Sequence, residues 1–242
     1  MNTTPKTFLW VGIFAIAMAA LESAVVVYLR ALYYPDGFSV VFRLIDPDIL
    51  KVELLREMAT LVMLVAVGYI AGKNFTERLA YFLLAFAVWD IFYYGWLKIL
   101  IDWPASVFEW DILFLIPFTW LGPVWAPLVC SVTMIALGVV LLASPKPVSS
   151  VVWTLLIAGS SFILYAFMVD YGKLILGNGF AAHYPNLLQN EDFLKLVSQF
   201  SPKSFSSVIF WLGEGLLTAA IYMHHRGPSV VFFKRLSSKS IS

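Results

Sequence analysis

Six long apolar segments follow one another along the chain, and short polar stretches separate them. An α-helix needs about 20 mainly apolar residues to cross the hydrocarbon core of a bilayer. Each segment reaches that length or comes close to it. The pattern therefore predicts an all-α, polytopic membrane protein, a bundle of six transmembrane helices over residues 8–32, 52–72, 78–101, 120–143, 150–171 and 205–224.

The composition agrees with this class. Hydrophobic residues make up 61% of the chain and charged residues 13%, whereas soluble domains carry about 25% charged residues. A transmembrane β-barrel would require short segments of alternating polarity, which are absent. The net charge of +1 gives no reason to expect a nucleic-acid partner, and the lone Cys130 excludes an intramolecular disulfide.

One apolar stretch does not fit a long helix. Residues 108–121 are interrupted by Pro117, and Pro123 and Pro127 follow closely. Proline removes a backbone donor and clashes with the preceding helical turn. We therefore expect an interfacial or re-entrant segment before the fourth span.

Two helix starts can be recognised from capping residues. Asp46 precedes Pro47, which suits the first turn of the second span. Asn190 precedes two acids and an amphipathic run in the long connection 172–204, which predicts an interfacial helix. The six spans and their connections form a single predicted domain, residues 1–226, followed by a basic cytoplasmic tail, residues 227–242.

The distribution of basic residues predicts the orientation. Six spans place both termini on the same side, and cytoplasmic loops carry the excess of Lys and Arg. The terminal side is the more basic, so we expect a multi-pass protein of the cell membrane with cytoplasmic N- and C-termini. The basic residues on that side are Lys6, Lys73, Arg78, Lys146, Arg226, Lys234, Arg235 and Lys239.

Four carboxylates lie inside apolar spans, namely Glu22, Glu57, Asp90 and Glu214. A charge at membrane depth costs at least roughly 2.5–3.5 kcal/mol, so such residues usually mark a functional site. With a helical rise of 1.5 Å per residue, the first three lie roughly 18–22 Å from the inner ends of their spans, and Glu214 lies about 15 Å up. Glu22, Glu57 and Asp90 therefore define a predicted acid layer, with Glu214 deeper.

Neighbouring polar residues support an inward-facing site. Tyr94 and Lys98 follow Asp90 at four-residue intervals, so the three share one helix face. Tyr94 would donate a hydrogen bond, and Lys98, Arg30 and Arg56 would adjust the charge. The same basic residues support a different interpretation, in which they neutralise the acids in a structural network.

The carboxylates favour binding or conduction of a cation that reaches them from the outer face, either a proton or a hard divalent metal. Oxygen ligands suit Mg²⁺, Ca²⁺ or Mn²⁺, and Glu22, Glu57 and Asp90 are the candidate metal ligands. His224 and His225 lie far from the acid layer. No haem is therefore expected. No nucleotide is expected either, because the sequence contains no phosphate-binding motif.

Two other functions stay open at this point. A membrane-embedded enzyme acting on a lipid or quinone could use the same carboxylates as acid and base or as metal ligands. A non-catalytic subunit of a membrane complex would need no chemistry at all. The lipid bilayer is the expected partner of the apolar spans, and a lipid or small-molecule ligand and a homo-oligomeric or larger assembly are further expectations.

Overall fold

The computed structural model describes residues 5–34, 46–117, 119–144, 146–180, 187, 190–202 and 204–227. The predicted basic tail lies outside these residues from position 228 onward. Six of the described helices are long and apolar enough to cross a membrane, which confirms the predicted six-helix, all-α bundle. The elements are α1 (Pro5–Tyr33), α2 (Pro47–Ala71), α3 (Phe75–Ile101), β1 (Trp110–Phe114), β2 (Trp120–Pro123), α4 (Trp125–Ala143), α5 (Ser150–Gly177), α6 (Glu191–Ser198) and α7 (Ser207–Arg226).

Side-chain caps define several helix starts. Asp46 Oδ1 accepts a hydrogen bond from the Asp48 backbone N–H at 2.8 Å, immediately before α2. Asn190 Oδ1 accepts from the Phe193 N–H at 3.0 Å and begins α6. These bonds satisfy backbone donors that the first helical turn leaves unpaired. Both predicted helix starts are confirmed.

The stretch before α4 contains an element that the sequence pattern did not predict. Strands β1 and β2 pair as an antiparallel hairpin, with Trp110 opposite Pro123 and Ile112 opposite Leu121. Because Pro117 disfavours a continuous helix, the chain turns back on itself, and α4 begins at Trp125, not at residue 120. The depth of this hairpin relative to the bilayer stays a prediction.

The helices form two groups, which meet directly where α4 contacts α7. Helix α3 packs against α1, α2 and α4, and α5 packs mainly against α7. Strand β2 contacts both α4 and α5. The hairpin therefore bridges the two groups at the end where α3 leaves the bundle and α4 enters it.

Two glycines mark the closest approach of α5 and α7. A Cβ atom on Gly159 would lie 2.8 Å from the Gly213 carbonyl oxygen, and one on Gly213 would lie 2.7 Å from the Gly159 carbonyl oxygen. Small residues at helix interfaces allow such packing in membranes. The pair therefore sets the spacing of these two helices.

Replacing Gly159 with Ala should lower the free energy of unfolding by about 1–3 kcal/mol, because an added methyl group overpacks the interface. Thermal unfolding of the purified protein in detergent would measure the loss. Gly215→Ala is the matched control, since nothing lies within 4 Å of a Cβ atom there. Equal losses in the two variants would contradict this account of the interface.

Candidate functional site

A cavity of about 270 Å³ lies beneath the hairpin, among the helices of both groups. Its walls include three of the four intramembrane acids predicted from the sequence. The predicted supporting residues Arg56 and Tyr94 line the same space. The structure thus brings together five of the eight predicted site residues, namely Glu22, Glu57, Asp90, Arg56 and Tyr94.

The first acid of the cavity belongs to an ion-pair network. Arg56 Nη1 pairs with Glu22, and Arg56 Nε donates to Glu53 Oε2 at 2.8 Å. The Thr60 hydroxyl donates to the second Glu22 oxygen at 3.2 Å. The charge on Glu22 is therefore compensated within the protein, as the structural-network interpretation requires.

A fourth carboxylate in the cavity was missed in the sequence. Asp111 of β1 is 2% exposed, accepts a hydrogen bond from the Tyr94 hydroxyl at 3.2 Å and pairs with Arg30 Nη2 at 3.4 Å. Arg30 also lies 3.7 Å from the ring centre of Trp103. Burial raises the pKa of Asp111 to about 6, although the Arg30 charge acts in the opposite direction. Arg30 thus takes part in the site through Asp111.

Glu57 and Asp90 differ from the other two acids of the cavity, because neither forms an ion pair with a described residue. Both Glu57 oxygens lie 3.0–3.1 Å from the Leu115 backbone nitrogen, whose N–H they share. Asp90 Oδ2 accepts a hydrogen bond from the Ser131 hydroxyl at 2.8 Å. Neutral donors orient these two carboxylates, and the Arg56 charge acts on Glu57 without forming an ion pair with it.

Glu214 lies apart from the cavity lining. It is 4% exposed, and its Oε2 atom accepts a hydrogen bond from the Thr133 hydroxyl at 2.6 Å. Its Oε1 atom has no hydrogen-bond partner among the described residues. Cys130 of α4 lines the cavity and lies near both Glu214 and Asp90. Glu214 is therefore linked to the acid layer through α4 but is not part of it.

Lys98 also lies outside the cavity. Its side chain is exposed and pairs with Asp102 at 2.7 Å. The exposed Lys98 ammonium in turn lowers the pKa of Asp102. The structure therefore does not bring Lys98 to the acid layer, although it places Tyr94 of the same helix face there.

Aromatic rings form part of the cavity wall. Trp89 packs edge-to-face on Phe86 at 5.3 Å between ring centres, and Trp120 lies 5.1 Å from Phe114 and stacks on Phe167 at 6.3 Å. The Nε1 atoms of Trp89 and Trp120 are buried without a hydrogen-bond partner among the described residues. Most buried donors are paired in folded proteins. The two indole nitrogens are exceptions to this rule, and their burial keeps them out of contact with the open space of the cavity.

The cavity acids are held by different groups and do not converge on one point. Among the described residues, no three His, Cys, Asp or Glu side chains are grouped as metal ligands would be. Glu22 pairs with Arg56, Glu57 accepts from Leu115 and Asp90 accepts from Ser131. A metal ion held by Glu22, Glu57 and Asp90 stays a prediction.

Comparisons with known proteins provide no family assignment. No protein-family model matches the chain, and no curated protein or solved structure is detectably similar to it. The six apolar helices indicate a multi-pass membrane protein, and the orientation of its termini stays a prediction. Function must therefore be argued from the geometry of the cavity.

Proposed function

We propose that the protein binds a small organic ammonium ion inside the membrane, with Glu57 and Asp90 as its counter-charges. The observation that carries this proposal is the position of these two carboxylates, which line one cavity without a basic partner among the described residues. A buried charge without a partner is costly. A bound cation or a bound proton must therefore neutralise each of them.

The charges around the cavity support a cationic ligand. Four carboxylates line the cavity, while the described arginines that pair with them are Arg30 and Arg56. Arg30 compensates Asp111, and Arg56 is shared between Glu22 and Glu53. The remaining field is negative, which attracts cations and repels anions.

The hydrogen-bonding groups suit an ammonium head. Asp90 Oδ1 accepts no hydrogen bond from a described residue, and each Glu57 oxygen can accept a bond besides the one from Leu115. A protonated primary amine has three donors. Such a head can donate to a free acceptor position on either carboxylate, while a proton leaves the site.

The shape of the cavity favours an organic cation over a bare metal ion. Its volume of about 270 Å³ suits a ligand of several heavy atoms, and its walls include the rings of Phe86, Trp89 and Trp120. Aromatic faces attract organic cations, and their apolar surface accommodates a hydrocarbon body. The proposal thus keeps the proton of the sequence-based expectation and puts an organic cation in place of the hard divalent metal ion.

Binding can be tested with a matched pair of ligands, the phenethylammonium ion and the neutral 2-phenylethanol. The ammonium ion should bind at least about tenfold more tightly, because charged hydrogen bonds to a carboxylate contribute roughly 1.5–3 kcal/mol. Isothermal titration calorimetry on the protein in nanodiscs would measure both affinities. Equal binding of the alcohol, or no binding of the ammonium ion, would contradict the proposal, and equal binding would favour the lipid- or quinone-directed alternative.

A further inference from the structure

A cleft of about 380 Å³ continues from the cavity between α4 and α5. The cleft and the cavity share lining residues from α4, α5 and α7, so the two spaces join at this point. The shared residues are Met134, Ser160, Leu164 and Leu217. The binding site therefore extends beyond the polar end that holds Glu57 and Asp90.

The cleft opens on the outer surface of the bundle. Ile157 is 63% exposed, and Ser160 and Ser161 are exposed beside it. Helix α5 has an apolar sequence long enough to span the membrane, so this exposed face meets lipid chains. A molecule dissolved in the hydrocarbon can thus reach the cleft without first passing through water.

The walls of the cleft differ chemically from those of the cavity. No described residue with a charged side chain lines the cleft, and its polar lining groups are the hydroxyls of Thr133, Ser160 and Ser161 and the indole of Trp153. The other lining residues are apolar and reach from Leu164 to Trp153 on α5. This part of the helix rises by roughly 16 Å, enough to accompany a hydrocarbon chain.

On the basis of the proposed function, we propose that the ligand is a single-chain ammonium amphiphile that enters sideways from the bilayer through the cleft between α4 and α5. Its head reaches Glu57 and Asp90, and its chain lies along the cleft. The negative field of the cavity suits the ammonium head of such a molecule, and the uncharged walls of the cleft suit its hydrocarbon chain. This route differs from the access through the outer face that the sequence suggested.

The test uses dodecylammonium as the long-chain probe and a variant that narrows the cleft alone. Ser161 lines the cleft but not the cavity, so Ser161→Phe should weaken dodecylammonium binding about tenfold or more, since excluding only two methylene groups has an effect of that size. Phenethylammonium fits within the cavity and should keep its affinity within about twofold. Titration in nanodiscs, referred to the free aqueous concentration, measures both ligands.

Thr154→Phe is the matched control, because Thr154 is exposed on the same helix and does not line the cleft. It should leave both affinities unchanged. If wild-type protein binds phenethylammonium but Ser161→Phe does not lower dodecylammonium affinity, the cleft does not hold the ligand's chain, the lateral route loses its basis, and the proposed function stands. If wild-type protein binds neither ammonium ion, both proposals fail together.

Discussion

Replacing Asp90 with Asn should weaken binding of phenethylammonium about 10- to 100-fold. The amide keeps an oxygen that can accept the Ser131 hydrogen bond, so the local structure is retained. The change removes a charge that lines the cavity without a basic partner. A hydrogen bond to a charged group contributes roughly 1.5–3 kcal/mol, which corresponds to this loss of affinity.

Glu57→Gln should have an effect of similar size, and the double variant should bind no measurable ammonium ion. The matched control is Asp170→Asn, since Asp170 is also a carboxylate in a spanning helix but pairs with Lys173 at 3.8 Å and does not line the cavity. Calorimetric titration compares the affinity of these four variants, namely the two single variants, the double variant and the control, with that of the wild-type protein. Full affinity in the double variant, or an equal loss in the control, would exclude Glu57 and Asp90 as the counter-charges.

Arg56→Met should cause a large loss of stability, about 3–5 kcal/mol in the free energy of unfolding. Arg56 compensates Glu22 and Glu53, whose side chains are 11% and 7% exposed. Removing one partner of a buried ion pair leaves an uncompensated charge, which is the costly case. Thermal unfolding of the purified protein would show the loss as a lower midpoint temperature.

Two further variants distinguish the effect of an uncompensated buried charge from a simple loss of side-chain packing. Adding Glu22→Gln and Glu53→Gln to Arg56→Met should restore part of the stability, because no uncompensated charge then remains in the network. Lys51→Met is the control for an exposed pair, since Lys51 and Asp48 are both open to solvent, and exposed pairs contribute little. A triple variant no more stable than Arg56→Met would show that charge compensation is not the reason.

Much of the fold could be predicted because apolar length and helix capping are local properties of the chain. The six spans and the starts at Asp46 and Asn190 were found in this way. The hairpin of β1 and β2 was not predicted, because its strands are short and form only by pairing with each other. Pro117 indicated where a helix fails but not which structure replaces it.

Only those site residues could be predicted that lie on spanning helices, because their depth in the membrane follows from their distance along the helix. Counting the helical rise placed Glu22, Glu57 and Asp90 in one layer, and the three line one cavity. Asp111 escaped this reasoning, since it lies on the hairpin and belongs to no span. Its one signal was a lone acid in the apolar run WDILF.

Helix periodicity also misplaced one residue. Lys98 shares the helix face of Asp90 and Tyr94, yet its ammonium group lies at the surface beside Asp102. A long lysine side chain near a helix end can carry its charge away from the buried face. Spacing along a helix therefore predicts the direction of Cβ but not the position of a distant charged group.

A structure of the protein with bound 4-bromophenethylamine tests the central claim most directly. We expect the anomalous signal of bromine among Phe86, Trp89 and Trp120, and the ammonium nitrogen about 3 Å from a carboxylate oxygen of Glu57 or Asp90. That result would locate an organic cation at the cavity acids that form no ion pair with a described residue. A ligand found only on the protein surface, or a cavity in which the nitrogen lies away from both carboxylates, would contradict the proposed function.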